Sequence, residues 1–123
     1  MVITNAGKAE VAGLIGADTQ GDVTAFDYIA IGSGTTAESA SDTALEYELQ
    51  RAAGVGSRVT TDVTNDTFQL VKDAFTFDGD YSITESGVFN ASSGGTMLCR
   101  KTFDPINVTA DDTLKVTWKI KVS

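Results

Sequence analysis

The sequence predicts a mainly β protein, an antiparallel β-sandwich or small barrel with a short N-terminal helix. Three observations carry that prediction. Short stretches rich in β-branched and aromatic residues recur between Gly, Asp and Asn turn signals. The last stretch alternates strictly, with Leu114, Val116, Trp118, Ile120 and Val122 on one parity and Lys115, Thr117, Lys119 and Lys121 on the other; this is the period of a half-buried strand. At 123 residues the chain fits a single domain, 1–123, and leaves no room for two independent cores.

Taken in order, Thr4 or Asn5 can cap a helix running through Gly16, with Ala6, Ala9, Leu14 and Ile15 as its apolar face. Ile3, just before the cap, could form a hydrophobic staple one turn in. Ala17 to Thr24 reads as a polar turn, and Phe26 to Ile31 as a strand closed by the flexible Gly32-Ser33-Gly34 loop. Ser41 or Asp42 looks like an N-cap for a second helix, Thr43 to about Leu49, with Leu45 and Leu49 on one face. Arg51 to Asn65 reads as a long β region bent at Gly54 and Gly56. Asn65-Asp66 turns the chain into Thr67–Phe77, where Phe68 and Leu70 share one parity and Phe75 and Phe77 the other; a bulge near Lys72–Ala74 reconciles them. Asp78-Gly79 turns into a strand from Tyr81 to Asn90, and the Ala91–Gly95 loop leads to one from Thr96 to Asp104, which Pro105 should end. A short strand, Ile106–Thr109, and the Ala110–Asp112 turn precede the last strand.

Hydrophobic residues make up 41% and charged residues 21%, the balance of a folded globular chain. The net charge of −8 repels phosphate backbones, and Lys and Arg form no basic stripe, so no nucleic-acid role is expected. No apolar run approaches the roughly 20 residues that span a bilayer, so no membrane role is expected either. The N-terminus lacks a basic flank and a cleavage site, which points to synthesis in the cytoplasm. The lone Cys99 excludes an internal disulfide, leaving packing or oligomerisation as the source of stability. Having no histidine removes the commonest general acid–base and metal ligand, and we expect no enzyme, no catalytic residue, no metal and no cofactor.

Individual residues reinforce this. Asp78, Asp80, Asp111, Asp112, Asp62 and Asp66 offer oxygens for calcium, but they match no EF-hand or nonapeptide pattern, and Asp commonly initiates turns. No serine has a histidine partner, and Gly32-Ser33-Gly34 lacks the lysine ending of a phosphate loop. Cys99 shares a parity with Met97 and Phe103 and reads as a buried thiol. Lys115, Lys119 and Lys121 read as a solvated strand face that deters edge aggregation. Met1, Val2 and Ile3 form an apolar arm, the candidate partner contact, which either adds to a partner's sheet edge or packs on its own domain.

Several segments together carry a resemblance: ITNAG at Ile3–Gly7, FDYIAIGSGTT at Phe26–Thr36, SDTAL at Ser41–Leu45, VTNDT at Val63–Thr67, ITESGVFNASSGGTMLCR at Ile83–Arg100, then FDPINV and DTLKVTWKI. In this order, over nearly the whole chain, they resemble small structural proteins of tailed viruses of bacteria and archaea. ITESGVF is also similar to a short motif of tail-collar fibre attachment domains. The resemblance implies a non-enzymatic virion part. Compactness favours a capsid decoration (cement) protein, binding itself as a trimer and the major capsid protein. A tail or baseplate fibre or adaptor component is the alternative. A carbohydrate-binding module, stacking sugars on Trp118, Tyr28 or Tyr81, is a third reading. The resemblance marks no functional residue for transfer.

Overall fold

A computed structural model describes residues 1–16 and 24–123; the turn expected from Ala17 lies outside them as far as Val23. Its elements are β1 (Val2–Ile3), α1 (Asn5–Gly16), β2 (Tyr28–Gly32), β3 (Glu48–Ala53), β4 (Val55–Val59), β5 (Thr67–Thr76), β6 (Tyr81–Phe89), β7 (Met97–Val108) and β8 (Thr113–Lys121). A five-stranded sheet, ordered β1-β7-β6-β2-β3, faces a three-stranded sheet, β4-β5-β8, and every ladder is antiparallel. The architecture is therefore an open sandwich and not a closed barrel. Its main core lies between the sheets, where Ile29, Ile31, Val88 and Cys99 meet Leu70, Phe75 and Trp118. No described helix is long and apolar enough to cross a membrane.

The sheets exchange the chain at corners. Between β3 and β4 the corner is Gly54 alone, whose N–H donates to Asp27 O at 2.8 Å. A Cβ there would lie 2.9 Å from both Leu70 Cδ1 and Val71 O, so glycine lets the backbone pass close over the core. The bend expected at Gly54 is thus a change of sheet. The β region it interrupts ends at Val59, with a loop from there to Asp66.

The bulge in β5 falls where the change of parity puts it. Lys72 pairs with Val116 and Phe75 with Leu114, so β5 advances three residues while β8 advances two. Phe68 and Leu70 before it, and Phe75 after it, all pack into the main core.

Four expectations are corrected. Thr43–Leu49 is not helical, and β3 begins at Glu48. A helix would need the Glu46 and Tyr47 N–H groups for its own carbonyls, but both donate to the Glu85 carboxylate, at 2.9 and 2.8 Å. Pro105 does not end its strand: β7 runs on to Val108. Ile83 pairs with Ile106 and Glu85 with Thr102, so β7 spends four steps against two in β6, and Pro105 sits in that bulge, where no ladder bond is lost. Val122 lies beyond β8 and is 78% exposed, so the inward row stops at Ile120. Finally, α1 does not bury its alanines and leucine. Gly7 is its buried residue, Ile15 is 84% exposed, and Ile3 packs against the main core because the position one turn into the helix is Lys8.

The cap itself is Thr4, fully buried. Its Oγ1 accepts from Gly7 N–H at 2.8 Å and donates to Met97 O, and its own N–H donates to Leu98 O at 2.9 Å. One residue thereby caps α1 and fastens it to β7.

Candidate functional site

The most distinctive chemistry lies on the outer face of the five-stranded sheet, under the loop joining β2 to β3. Glu85 on β6 is 0% exposed and Arg100 on β7 2%. The β6–β7 ladder places Arg100 opposite Gly87, one outward-facing position along from Glu85. Arg100 Nε donates to Glu85 Oε1 at 3.0 Å.

Glu85 accepts three further bonds, all from the loop backbone: Glu46 N–H on Oε1, and Gly34 N–H (2.7 Å) and Tyr47 N–H on Oε2. Arg100 reaches the same loop, donating from Nη1 to Asp42 Oδ2 at 3.1 Å and from Nη2 to Thr36 O at 2.9 Å. Burial opposes the charge on Arg100, yet the bonds to Glu85 and Asp42 outweigh it and hold its pKa above the ordinary arginine value. Glycine is required where the carboxylate meets the loop. A Cβ at Gly32 would lie 2.7 Å from Glu85 Oε2, and one at Gly34 would collide with the same oxygen. The Gly32-Ser33-Gly34 segment, expected as a flexible loop, is a cradle for a buried anion.

A second carboxylate works from outside. Glu46 Oε1 accepts from Thr35 N–H at 2.7 Å and Thr36 N–H at 3.0 Å, and its other oxygen accepts from the Thr36 hydroxyl. The Thr36 hydroxyl, followed by the Thr36 and Thr35 amides, lowers its pKa below the usual carboxylate range. Leu45 completes the arrangement by packing with Ala30, Phe89 and Met97 in a second small core beneath the loop. Loop 33–47 is therefore an irregular segment held by side-chain hydrogen bonds and by Leu45 packing. With four donors on Glu85, its chemistry is that of a clamp.

The candidate contact residues Met1, Val2 and Ile3 lie beside this clamp. Val2 pairs with Arg100 and Ile3 with Cys99, making β1 the edge strand of its own sheet. The Met1 ammonium contacts Glu38 at 2.7 Å, and Glu38 also accepts from Thr102 N–H at 2.8 Å. The arm is thus joined to its own domain, and its outer edge pairs with no described strand.

The remaining candidates have local partners. Asp66 accepts from the N–H groups of Thr61, Asp62 and Val63 and from the Thr67 hydroxyl, and these bonds, Val63's foremost, hold its pKa far below the normal range. Asp78 accepts from the Tyr81 hydroxyl, and Asp112 from Thr109 N–H. Among the described residues no group of three or more Asp, Glu, Cys or His is placed to hold a metal. Trp118 is 8% exposed and its indole N–H donates to Ser86 Oγ at 3.0 Å, so it presents no stacking face. Cys99 is fully buried, and desolvation pushes its thiol up to about 12. An apolar hollow of about 620 Å³ lies between α1 and the smaller sheet, lined by Val11, Leu14, Phe26, Phe68 and Ile120.

Reading the sequence singled out neither Glu85 nor Arg100. The available signal was that Glu85 is the lone charge in YSITESGVF and Arg100 the first in MLCR, on strands joined by one hairpin. A lone carboxylate on one strand and an arginine on the other strand of the same hairpin are candidates to pair. Compared with known proteins, the chain matches no family model and no curated sequence.

Proposed function

We propose that the chain is a non-enzymatic virion structural protein, a capsid decoration protein that binds and stabilises the viral shell as an oligomer, with a trimer as the expected state. The observation that carries this reading is the clamp. Glu85 and Arg100 both belong to ITESGVFNASSGGTMLCR, the longest segment of the resemblance to tailed-virus proteins, and both are spent on holding loop 33–47 against the sheet. A rigid, irregular loop on a small sandwich is a surface prepared for docking, because little conformational entropy is left to lose on binding. Open sheet edges add backbone groups that a neighbour can pair.

The test is co-sedimentation of the purified chain with expanded capsids that lack it, combined with mass spectrometry of separated heads and tails. Saturable binding to capsids, and a copy number in heads proportional to the major capsid protein, are the expected results. Failure to bind capsids, with a few copies confined to the tail fraction, would replace this reading with a tail or baseplate fibre or adaptor role, which the likeness of ITESGVF to tail-collar domains favours.

A further inference from the structure

We propose that the open side of the sandwich, between β7 and β8, receives an extended anionic segment of a partner protein as an added strand on β8. The inference rests on the protein-binding reading above and names the surface and the chemistry of its partner.

The topology leaves this side open. β8 has one ladder neighbour, β5, and β7 is covered on its outer side by β1 only at Cys99 and Arg100. From Lys101 along β7, and throughout β8, the backbone facing this side pairs with no described strand. Two hollows of about 280 and 230 Å³ lie there and share Ser86, Phe103, Val116 and Thr117 as walls. Their apolar lining is the half-buried margin of the core, with Phe103, Leu114 and Val116 packed against its edge.

Charge sets the partner. Lys101 and Lys119 line the first hollow and Lys115 the second, and no carboxylate lines either. This runs against a composition of 17 acidic to 9 basic residues. None of the three lysines forms an ion pair with a described residue. Glu38, whose carboxylate feels Lys101, is already engaged by the Met1 ammonium and the Thr102 amide.

The side-chain period fits the same occupant. On β8 the inward row is Leu114, Val116 and Trp118 and the outward row Lys115, Thr117 and Lys119. A strand laid beside it, with apolar residues at every second position and carboxylates between them, would set its apolar row against Phe103 and Val116 and its acidic row against the lysines. Neutral or basic strands would leave the lysines desolvated or repelled, so the edge that deters unspecific pairing also selects an acidic one. A second copy is a poor occupant. It carries the same net charge of −8, and none of its described strands alternates apolar with acidic residues.

The experiment titrates the ¹⁵N-labelled full chain with a synthetic peptide of alternating Val and Glu, and with the same peptide carrying Lys in place of Glu. We expect the acidic peptide to shift and protect amides within 101–108 and 113–121, and to weaken with added salt. The double substitution K115E/K119E, at exposed side chains, should weaken it about tenfold or more while leaving the rest of the spectrum unchanged. Equal binding of the two peptides, shifts mapping elsewhere, or no loss in the double variant would overturn the proposal. Concentration-dependent shifts of the same amides without peptide would assign the edge to a second copy, and would overturn it too. No viral particle enters this titration, so its failure leaves the decoration reading standing, and failure of capsid binding leaves the edge standing.

Discussion

Burying Glu85 beside Arg100 removes two ions from water at several kcal/mol each, a cost offset only where geometry and further hydrogen bonds are good. Here the carboxylate has four donors, and the guanidinium reaches two carboxylates and a carbonyl. The substitution E85A would leave a buried cation short of its partner and three loop amides unpaired, and should cost about 3–5 kcal/mol. Urea unfolding checks the magnitude, and hydrogen exchange at Gly34, Glu46 and Tyr47 checks the cause, since those amides should lose protection first. A loss under about 1 kcal/mol, with the amides still protected, would show that the loop holds itself without the clamp. The paired replacement E85L/R100M removes both charges and should recover part of the loss, because the penalty of a single deletion is largely the orphaned partner. Arg51 is engaged differently: its guanidinium lies 3.6 Å over the Phe89 ring centre, and Nη1 donates to Ala91 O and Gly94 O, fixing the β6–β7 hairpin loop.

At the scale of elements, α1 is docked through a glycine. A Cβ at Gly7 would lie 2.6 Å from Leu98 O and 2.8 Å from Leu98 Cα, and both are backbone atoms that cannot swing aside. The substitution G7A raises helix propensity, by up to about 1 kcal/mol in a free helix. Here it should destabilise by about 1–3 kcal/mol, because overpacking forces the helix off β7. A higher denaturation midpoint for G7A would show that the helix can shift at no cost. The elements legible in the sequence are those whose information is local: a helix cap at Thr4 or Asn5, the alternation of β8 and the change of parity in β5. What was not legible depended on distant residues. Ser41–Leu45 carries a good local helix signal, which loses to a carboxylate about 40 residues further along the chain, as the Glu85 bonds to Glu46 and Tyr47 show. Pro105 is a local stop signal overridden by a bulge whose register is set on β6. The clamp is not legible for the same reason: its two charges become a pair only once the hairpin register is known.

For the molecule as a whole, three carboxylates fasten segments that the sheets do not hold. Glu38 ties the N-terminus, Glu46 the loop after β2, and Asp66 the turn before β5. All three have folded-state pKa values below their ordinary ones: Glu38 chiefly through the Met1 ammonium, Glu46 through the Thr36 hydroxyl and Asp66 through the Val63 amide. A depressed carboxylate pKa contributes stability that is complete above the unfolded-state value, near pH 4, and is lost as pH falls through the folded value. The net charge of −8 works in the opposite direction, since acidification first relieves self-repulsion. That repulsion is spread over an exposed surface and screened by salt, whereas the three anchors are short hydrogen bonds. In moderate salt, the urea midpoint should therefore stay nearly level from pH 7 to about pH 5 and then fall steadily toward pH 3. The double variant E46Q/D66N should flatten that fall and cost stability mainly at neutral pH, where the charged forms accept the amide bonds. An unchanged pH slope in the variant would mean that other carboxylates set the acid limit of the fold.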